Sequence, residues 1–333
     1  MQINSVLLNI ARVATVLALI VIVLGAYVRL TDAGLGCPDW PGCYGKLLVP
    51  VSEGATEQAN IAYPDRPLEH AKAWKEMIHR YAASTLGLLI LIMAGLAWKN
   101  TQLAHMRTFT TILLCLVIFQ GMLGMWTVTL LLKPVIVMSH LLGGLTILSL
   151  LYWSMLRQQS HNGIFVSVAN KKQLPFVIGG LLVLVCQISL GGWTSSNYAA
   201  LVCPDFPTCQ GVWWPTMDFN EGFILWRGLG IDYEGGVLHG AARTAIHMTH
   251  RIGAVITFIT LLFLAIQAIK SKLTKLKFSG LAVLGLLLIQ VSLGIANIKF
   301  NLPLSVAVAH NGVAALLLLS LVTLLHHSLP DKE

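Results

Sequence analysis

Of 333 residues, 56% are hydrophobic and only 11% are charged, and the mean hydropathy is +0.75. That balance excludes a water-soluble globular domain and points to a polytopic, all-α membrane protein. The formal charge of +8 comes without a basic patch interleaved with aromatics, so it marks membrane topology and argues for no nucleic-acid partner.

Eight apolar runs are long enough to cross a bilayer, which takes about 20 helical residues. They cover about 10–29, 77–97, 108–131, 136–156, 174–194, 244–268, 278–299 and 304–325. The first follows a short polar start, as a signal peptide would. Gly25-Ala26-Tyr27-Val28-Arg29 lacks a small-x-small cleavage site, however, so the run is expected to remain as the first helix. No Arg- and Ser-rich transit segment precedes it, which favours a bacterial plasma membrane over an organelle.

The loop after the first span holds Cys37-Pro38-Asp39-Trp40-Pro41-Gly42-Cys43. In an oxidising compartment such a pair forms an intraloop disulfide or an exchanging dithiol. A zinc site is the alternative, although zinc ligands are typically about two to four positions apart. The second span opens with Glu76-Met77-Ile78-His79-Arg80. Positions i and i+3 share a helix face at about 5–6 Å between Cβ atoms, so Glu76 either stands beside a group bound by His79 or is an interfacial charge at a helix N-terminus. The third span carries Gln120-x-x-Leu123-Gly124, and the fourth starts at Ser139-His140. Cys115 and Cys186, inside apolar runs, read as buried small hydrophobes.

The order then repeats. Gly25 to Gly45 returns 166 residues later as Gly191 to Gly211, with Cys203-Pro204-Asp205-Phe206-Pro207-Thr208-Cys209. His79-Arg80 returns as His250-Arg251, Gln120-x-x-Leu123-Gly124 as Gln290-x-x-Leu293-Gly294, and His140 as His310, at offsets of 170 or 171. Four spans per half is an even number, so both halves insert the same way. The expected architecture is two tandem parallel four-helix-bundle repeats, 1–160 and 161–333. One position breaks the symmetry: the residue matched to Glu76 is His247.

Arg12, Lys99, Arg107, Arg157, Lys171, Lys172 and the cluster Lys270, Lys272, Lys275 and Lys277 fall on one side, which is expected to be cytoplasmic together with both termini. The long acidic loops, about 30–76 and 195–243, are then periplasmic. His79, His140, His250 and His310 come to one depth near the outer leaflet, where ionisable groups are costly and mark function. A zinc or non-haem iron centre normally takes a third protein ligand. Paired imidazoles facing each other across an apolar four-helix bundle suit a haem, held by one axial imidazole from each side. Arg80 and Arg251 either pair with haem propionates or snorkel to the headgroups. His70 and His239 stand in outer segments as exposed polar residues or as gates. His105, His161, His326 and His327 read as interfacial on the inner side.

The segment Thr31-Asp32-Ala33-Gly34-Leu35-Gly36-Cys37-Pro38-Asp39-Trp40-Pro41-x-Cys43, with Glu76-x-x-His79-Arg80, Ser139-His140, His247-x-x-His250-Arg251 and His310-Asn311, resembles the bacterial haem A synthase family over essentially the whole chain. The resemblance implies an enzyme that oxidises the C8 methyl of haem O to the formyl of haem A, the haem of certain terminal oxidases. It implies that His79 and His140 flank the substrate haem O in the N-terminal half, and that His250 and His310 ligate a haem b in the C-terminal half. Glu76 would be the acid/base group near the reacting methyl, and Cys37/Cys43 the functional pair. Cys203/Cys209, which not every member of that family has, would be a second and structural pair. Haem O, an electron partner, haem O synthase as a candidate supplier and the surrounding lipid are the implied partners. Two other classes compete: a bis-haem b membrane cytochrome that only passes electrons, which has no need of Glu76, and a haem transporter that leaves its cargo unconverted.

Overall fold

The structure, a computed structural model, describes residues 2–161 and 173–329. Lys171 and Lys172 lie outside the described residues, and so does the side chain of His161. Among the described residues the chain is helical, with α1 (Gln2–Leu30), α2 (Glu53–Ala62), α3 (His70–Lys99), α4 (Arg107–Thr129), α5 (Pro134–His161), α6 (Leu174–Ser196), α7 (Phe219–Gly222), α8 (Gly240–Ile269), α9 (Thr274–Lys299) and α10 (Leu304–Ser328). Eight of them are long and apolar enough to cross a membrane. Seven of the apolar runs fall inside these eight, and the run 108–131 passes the end of α4 by Leu130 and Leu131, which belong to the turn that follows. α3 and α8 begin earlier, at His70 and Gly240, because polarity in a first turn moves it out of the apolar span without breaking its hydrogen bonds.

Two tight turns set the register of the helices that carry His140 and His310. Leu131 and Leu132, and likewise Asn301 and Leu302, adopt φ of 50°, 59°, 55° and 59°. The Leu132 N–H donates to the Thr127 carbonyl at 2.8 Å and the Leu302 N–H to the Asn297 carbonyl at 2.7 Å. Pro134 and Pro303 follow, and a fixed φ there suits the start of the next helix.

Backbone contacts divide the chain into two units. The first takes in the chain up to Ile147 together with Ile224–Val237. The second takes in Leu148–Phe223 and the chain from Leu238 onward. In the first, α1 packs on α3 and α3 on α4. Ala11, Ala14 and Ala18 of α1 and Ala73, Ala94 and Ala97 of α3 are buried, and small residues of this kind let apolar helices approach closely. In the second, α6 packs on α8, α8 on α9, α9 on α10 and α10 back on α6, closing a ring of four helices. A Cβ on Gly280 would lie 2.8 Å from the Ala265 carbonyl oxygen, so the α8–α9 contact requires glycine.

Two expectations about individual residues are corrected. Cys115 and Cys186 are exposed on their helices. A lipid-facing surface is as apolar as a core, so a small sulfhydryl has no preference for the inside. His326 and His327 are buried, at 6% and 5% exposure, where interfacial residues were expected. His326 packs edge-on to Trp153 at 5.5 Å, and His327 Nδ1 lies 3.1 Å from the Ser279 hydroxyl, so the end of α10 is enclosed by its neighbours.

Candidate functional site

In the first unit, His79 of α3 and His140 of α5 bring their ring centroids to 6.5 Å at an interplanar angle of 70°. Two metal–nitrogen bonds of about 2 Å each, plus the two half-rings, come to about 6 Å, so this spacing takes one metal atom between the imidazoles. Each ring rests on a glycine of a neighbouring helix. A Cβ on Gly25 would stand 3.0 Å from His79 Cε1, and one on Gly124 would stand 3.3 Å from His140 Cε1. The Val21 carbonyl accepts from the His79 ring. The Gln120 amide donates to the His140 carbonyl at 2.6 Å. Nδ1 of both histidines is buried without a hydrogen-bond partner.

The second unit has the same local construction. A Cβ on Gly191 or on Gly294 would stand 3.2 Å from Cε1 of His250 or His310 respectively. The Gln187 amide lies 3.0 Å from His250 Nδ1 and 3.1 Å from the His250 carbonyl, and the Gln290 amide lies 3.2 Å from His310 Nε2. His310 Nδ1 is again buried and unpartnered. These glycines stand inside the repeated segments, which was the available signal. In the sequence alone they mark only the repeat, because nothing in a lone glycine says which side chain it makes room for.

These residues fit a haem. Buried polar atoms without partners are costly and call for an occupant. Among the described residues no three His, Cys, Asp or Glu side chains gather as a metal cluster would need. Two imidazoles supply only the axial positions, which leaves the remaining coordination to a macrocycle.

Glu76 stands on α3 one turn before His79. Its carboxylate, on a residue only 4% exposed, accepts from the Cys37 N–H at 2.9 Å and pairs with Arg80. Arg80 also donates to the carbonyls of Asp39 at 3.0 Å, Pro41 at 3.3 Å and Gly42 at 2.5 Å. The loop so held is closed by a Cys37–Cys43 disulfide. It approaches α3 closely because Gly36 has no Cβ, which would fall 2.8 Å from the Lys72 carbonyl oxygen. Within the loop the Asp39 carboxylate accepts from the backbone N–H of Tyr44 and Gly45 at 2.6 and 2.7 Å. The Tyr44 hydroxyl donates to the Arg66 carbonyl at 2.9 Å. Burial, and then the carboxylates of Asp39, Glu69 and Glu76, push the Tyr44 phenol up to about 12.

In the second unit Arg251 plays the same part. It donates to the carbonyls of Cys203 at 3.3 Å, Asp205 at 2.8 Å, Pro207 at 3.4 Å and Thr208 at 2.8 Å, across a loop closed by a Cys203–Cys209 disulfide. The Thr208 hydroxyl, together with the Gly211 and Gln210 N–H groups, holds the Asp205 carboxyl below the usual range. His247, matched to Glu76, is buried with Nδ1 2.9 Å from the Ala199 carbonyl. Both arginines thus anchor a cysteine loop through its carbonyls. His70 and His239 are exposed, with Thr56 at 3.4 Å and Asp218 at 3.3 Å.

A strap that the sequence did not announce covers part of the first unit. In Ile224–Val237, Asp232 and Glu234 both pair with Arg66. Tyr233 is buried with Leu35, Val128 and Leu132, and its N–H donates to the Leu131 carbonyl at 3.1 Å. Lys133, 2% exposed, donates to the carbonyls of Arg227 at 2.8 Å and Gly228 at 2.9 Å, with its ammonium 3.7 Å from the Trp226 ring centroid. Arg66 and Asp232 are 166 residues apart in the chain, which is why no local pattern reveals the contact.

Residues 9–322 of the chain fit the family model described as COX15-CtaA, cytochrome oxidase assembly protein. The chain is 48% identical to the "Heme A synthase" of Shewanella oneidensis, with 94% of each protein covered. It is 27% identical to the "Heme A synthase" of Shouchella clausii, covering 92% of this chain and 90% of that one. Against the protein of the same name from Caulobacter vibrioides the identity is 27%, covering 89% and 88%.

Proposed function

The chain belongs to the COX15-CtaA family of cytochrome oxidase assembly proteins, and from that premise we propose that it is the membrane oxidoreductase that converts haem O to haem A. The reaction takes the C8 methyl group to a formyl group and supplies haem A to terminal oxidases. The observation that carries this reading is the His79–His140 pair, whose 6.5 Å ring separation suits one iron atom, in a chain so close to a haem A synthase over its whole length.

In the finer reading the architecture is two tandem four-helix repeats, 1–160 and 161–333. His79 and His140 hold the substrate haem O in the first, and His250 and His310 hold a haem b in the second. The glycines paired with the four histidines, and the buried unpartnered Nδ1 of His79, His140 and His310, support this reading. A haem b, when bound, supplies the one-electron chemistry that side chains lack. Glu76 is the acid/base group: its carboxylate is buried one turn from His79, and between its bonds to the Cys37 N–H and to Arg80 it can take up or release a proton at Oε1 or Oε2. The Cys37–Cys43 disulfide fixes the loop on which that carboxylate leans, and Cys203–Cys209 serves the second loop structurally. Arg80 and Arg251, already aligned along loop carbonyls, are the propionate contacts. The protein lies in a bacterial inner membrane with both termini and the Lys270–Lys277 loop cytoplasmic and the cysteine loops periplasmic. Its partners are haem O, an electron donor, haem O synthase and lipid.

Purified protein supplied with haem O and a reductant should yield haem A on chromatography of the extracted haems. Unchanged haem O would favour the electron-passing cytochrome or the transporter. His250→Ala or His310→Ala should lose the resident haem b, while His79→Ala or His140→Ala should keep it and lose turnover. Equal loss of one haem in all four variants would refute the division between halves. Reporter fusions at Lys275 that are active only outside the cytoplasm would refute the orientation.

A further inference from the structure

Each histidine of the second unit has a buried amide at its ring, and those of the first unit do not. Gln187 of α6 lies within 3.0 Å of His250 Nδ1, and Gln290 of α9 within 3.2 Å of His310 Nε2. In the first unit the position matched to Gln187 is Val21, whose backbone carbonyl faces His79; the Gln120 side chain donates to the backbone carbonyl of His140, and only the Gln120 backbone carbonyl faces the His140 ring. Oε1 of Gln187 and of Gln290 is buried with no partner. Gly253 provides the room, since a Cβ there would collide with Gln187 Oε1. An amide is two-sided: turned one way it donates to an imine nitrogen, and turned over it accepts from a ring N–H. A metal-bound imidazole needs the second arrangement, because its other nitrogen carries a proton that seeks an acceptor, and that hydrogen bond fixes the ring and raises its basicity.

We propose that Gln187 is a positioning residue for the haem b ligand His250, its Oε1 accepting from the ring N–H opposite the iron and so setting the strength of the axial bond and the potential of the haem. The inference rests on the reading of His250 as a haem ligand. An acceptor on the far nitrogen makes the imidazole a stronger donor and favours ferric over ferrous iron. Gln187→Leu should therefore raise the midpoint potential of the bound haem by about a tenfold change in ferrous preference, about 59 mV, with faster haem loss. Gln187→Glu, of the same shape but a stronger acceptor, should lower it. Gly253→Ala, which displaces the amide without removing it, should raise the potential as Gln187→Leu does.

The test is a potentiometric titration of the purified full-length protein, with haem content measured in parallel and His250→Ala as control. Opposite shifts in Gln187→Leu and Gln187→Glu support the proposal, because a purely structural role would move both variants the same way. Potentials unchanged or shifted in one direction in both, while His250→Ala loses its haem, would overturn the role of Gln187 and leave the ligand reading intact. Full haem retention by His250→Ala would overturn the ligand reading itself. If Gln187→Leu fails to assemble, Gln187→Glu and Gly253→Ala still decide the question by the sign of their shifts.

Discussion

Adding one methyl group behind a histidine is the sharpest test of the site geometry. A Cβ on Gly25 would meet His79 Cε1 at 3.0 Å, and one on Gly191 would meet His250 Cε1 at 3.2 Å. Ordinary contact begins near 3.4 Å, so each ring must retreat by a few tenths of an ångström or its helix must shift. Over-packing of this size costs about 1–3 kcal/mol. Alanine in place of glycine in a helix interior returns about 0.5–1 kcal/mol. Gly25→Ala and Gly191→Ala should therefore fall between neutral and about 2.5 kcal/mol destabilised. Gly95→Ala and Gly179→Ala meet nothing within 4 Å and should be stabilised by up to about 1 kcal/mol. The assay is thermal unfolding in detergent, read beside the absorption spectrum of bound haem and haem A yield. Gly191→Ala should perturb the resident haem, and Gly25→Ala should slow turnover while the resident haem stays intact. Were Gly25→Ala and Gly191→Ala to behave like the two controls in stability, spectrum and yield, the histidines would not be seated where their glycines hold them.

Glu76→Gln should fold and keep its resident haem, because the Cys37 N–H still finds an acceptor and Arg80 keeps its loop carbonyls, yet haem A yield should collapse; losing the charged hydrogen bond should cost about 1.5–3 kcal/mol in a melt. Arg251→Ala should loosen the Cys203–Cys209 loop and accelerate haem loss, whereas Arg80→Ala, which strands the buried Glu76 charge, should cost about 3–5 kcal/mol; comparing the two melts and the two haem contents checks this. Tyr44 should ionise about two units above an ordinary phenol: its contribution is complete below about pH 10 and lost as pH rises through about 12, so in a phenolate-absorbance titration Tyr44→Phe should remove a step near pH 12.

Much of the architecture was legible because the bilayer imposes a coarse rule. Apolar runs of sufficient length become helices, and the repeat located the histidines and arginines on them and the paired cysteines in the loops between. Directions of side chains were not legible in the same way. Glu76 and His79 are three residues apart and do share a side of α3, but the carboxylate finds the Cys37 N–H and Arg80 on a loop whose path depends on Gly36. The left-handed pair Leu131 and Leu132 carries no local signature, since leucine rarely adopts positive φ, and the apolar run therefore reads on to Leu131. The strap is non-local, tied down by Arg66 and Lys133 from far away in sequence.

The two halves use one scaffold for different electrostatic ends. At the first loop, Arg80 has a carboxylate against it and three carbonyls around it, so its charge is largely answered from within. At the second loop the matched position is His247, which is engaged with the Ala199 carbonyl, and Arg251 has carbonyls but no paired carboxylate of its own, with its Nε buried and unpartnered. An anionic group arriving at Arg251 competes with carbonyls and with the more distant Asp205 charge, while one arriving at Arg80 must compete with the directly paired Glu76. On the proposed division of the haem sites, that difference would help the second half to retain a propionate-bearing group. In the first half, on the same reading, Glu76 would weaken the hold of Arg80 on a propionate and leave more of the binding to His79 and His140.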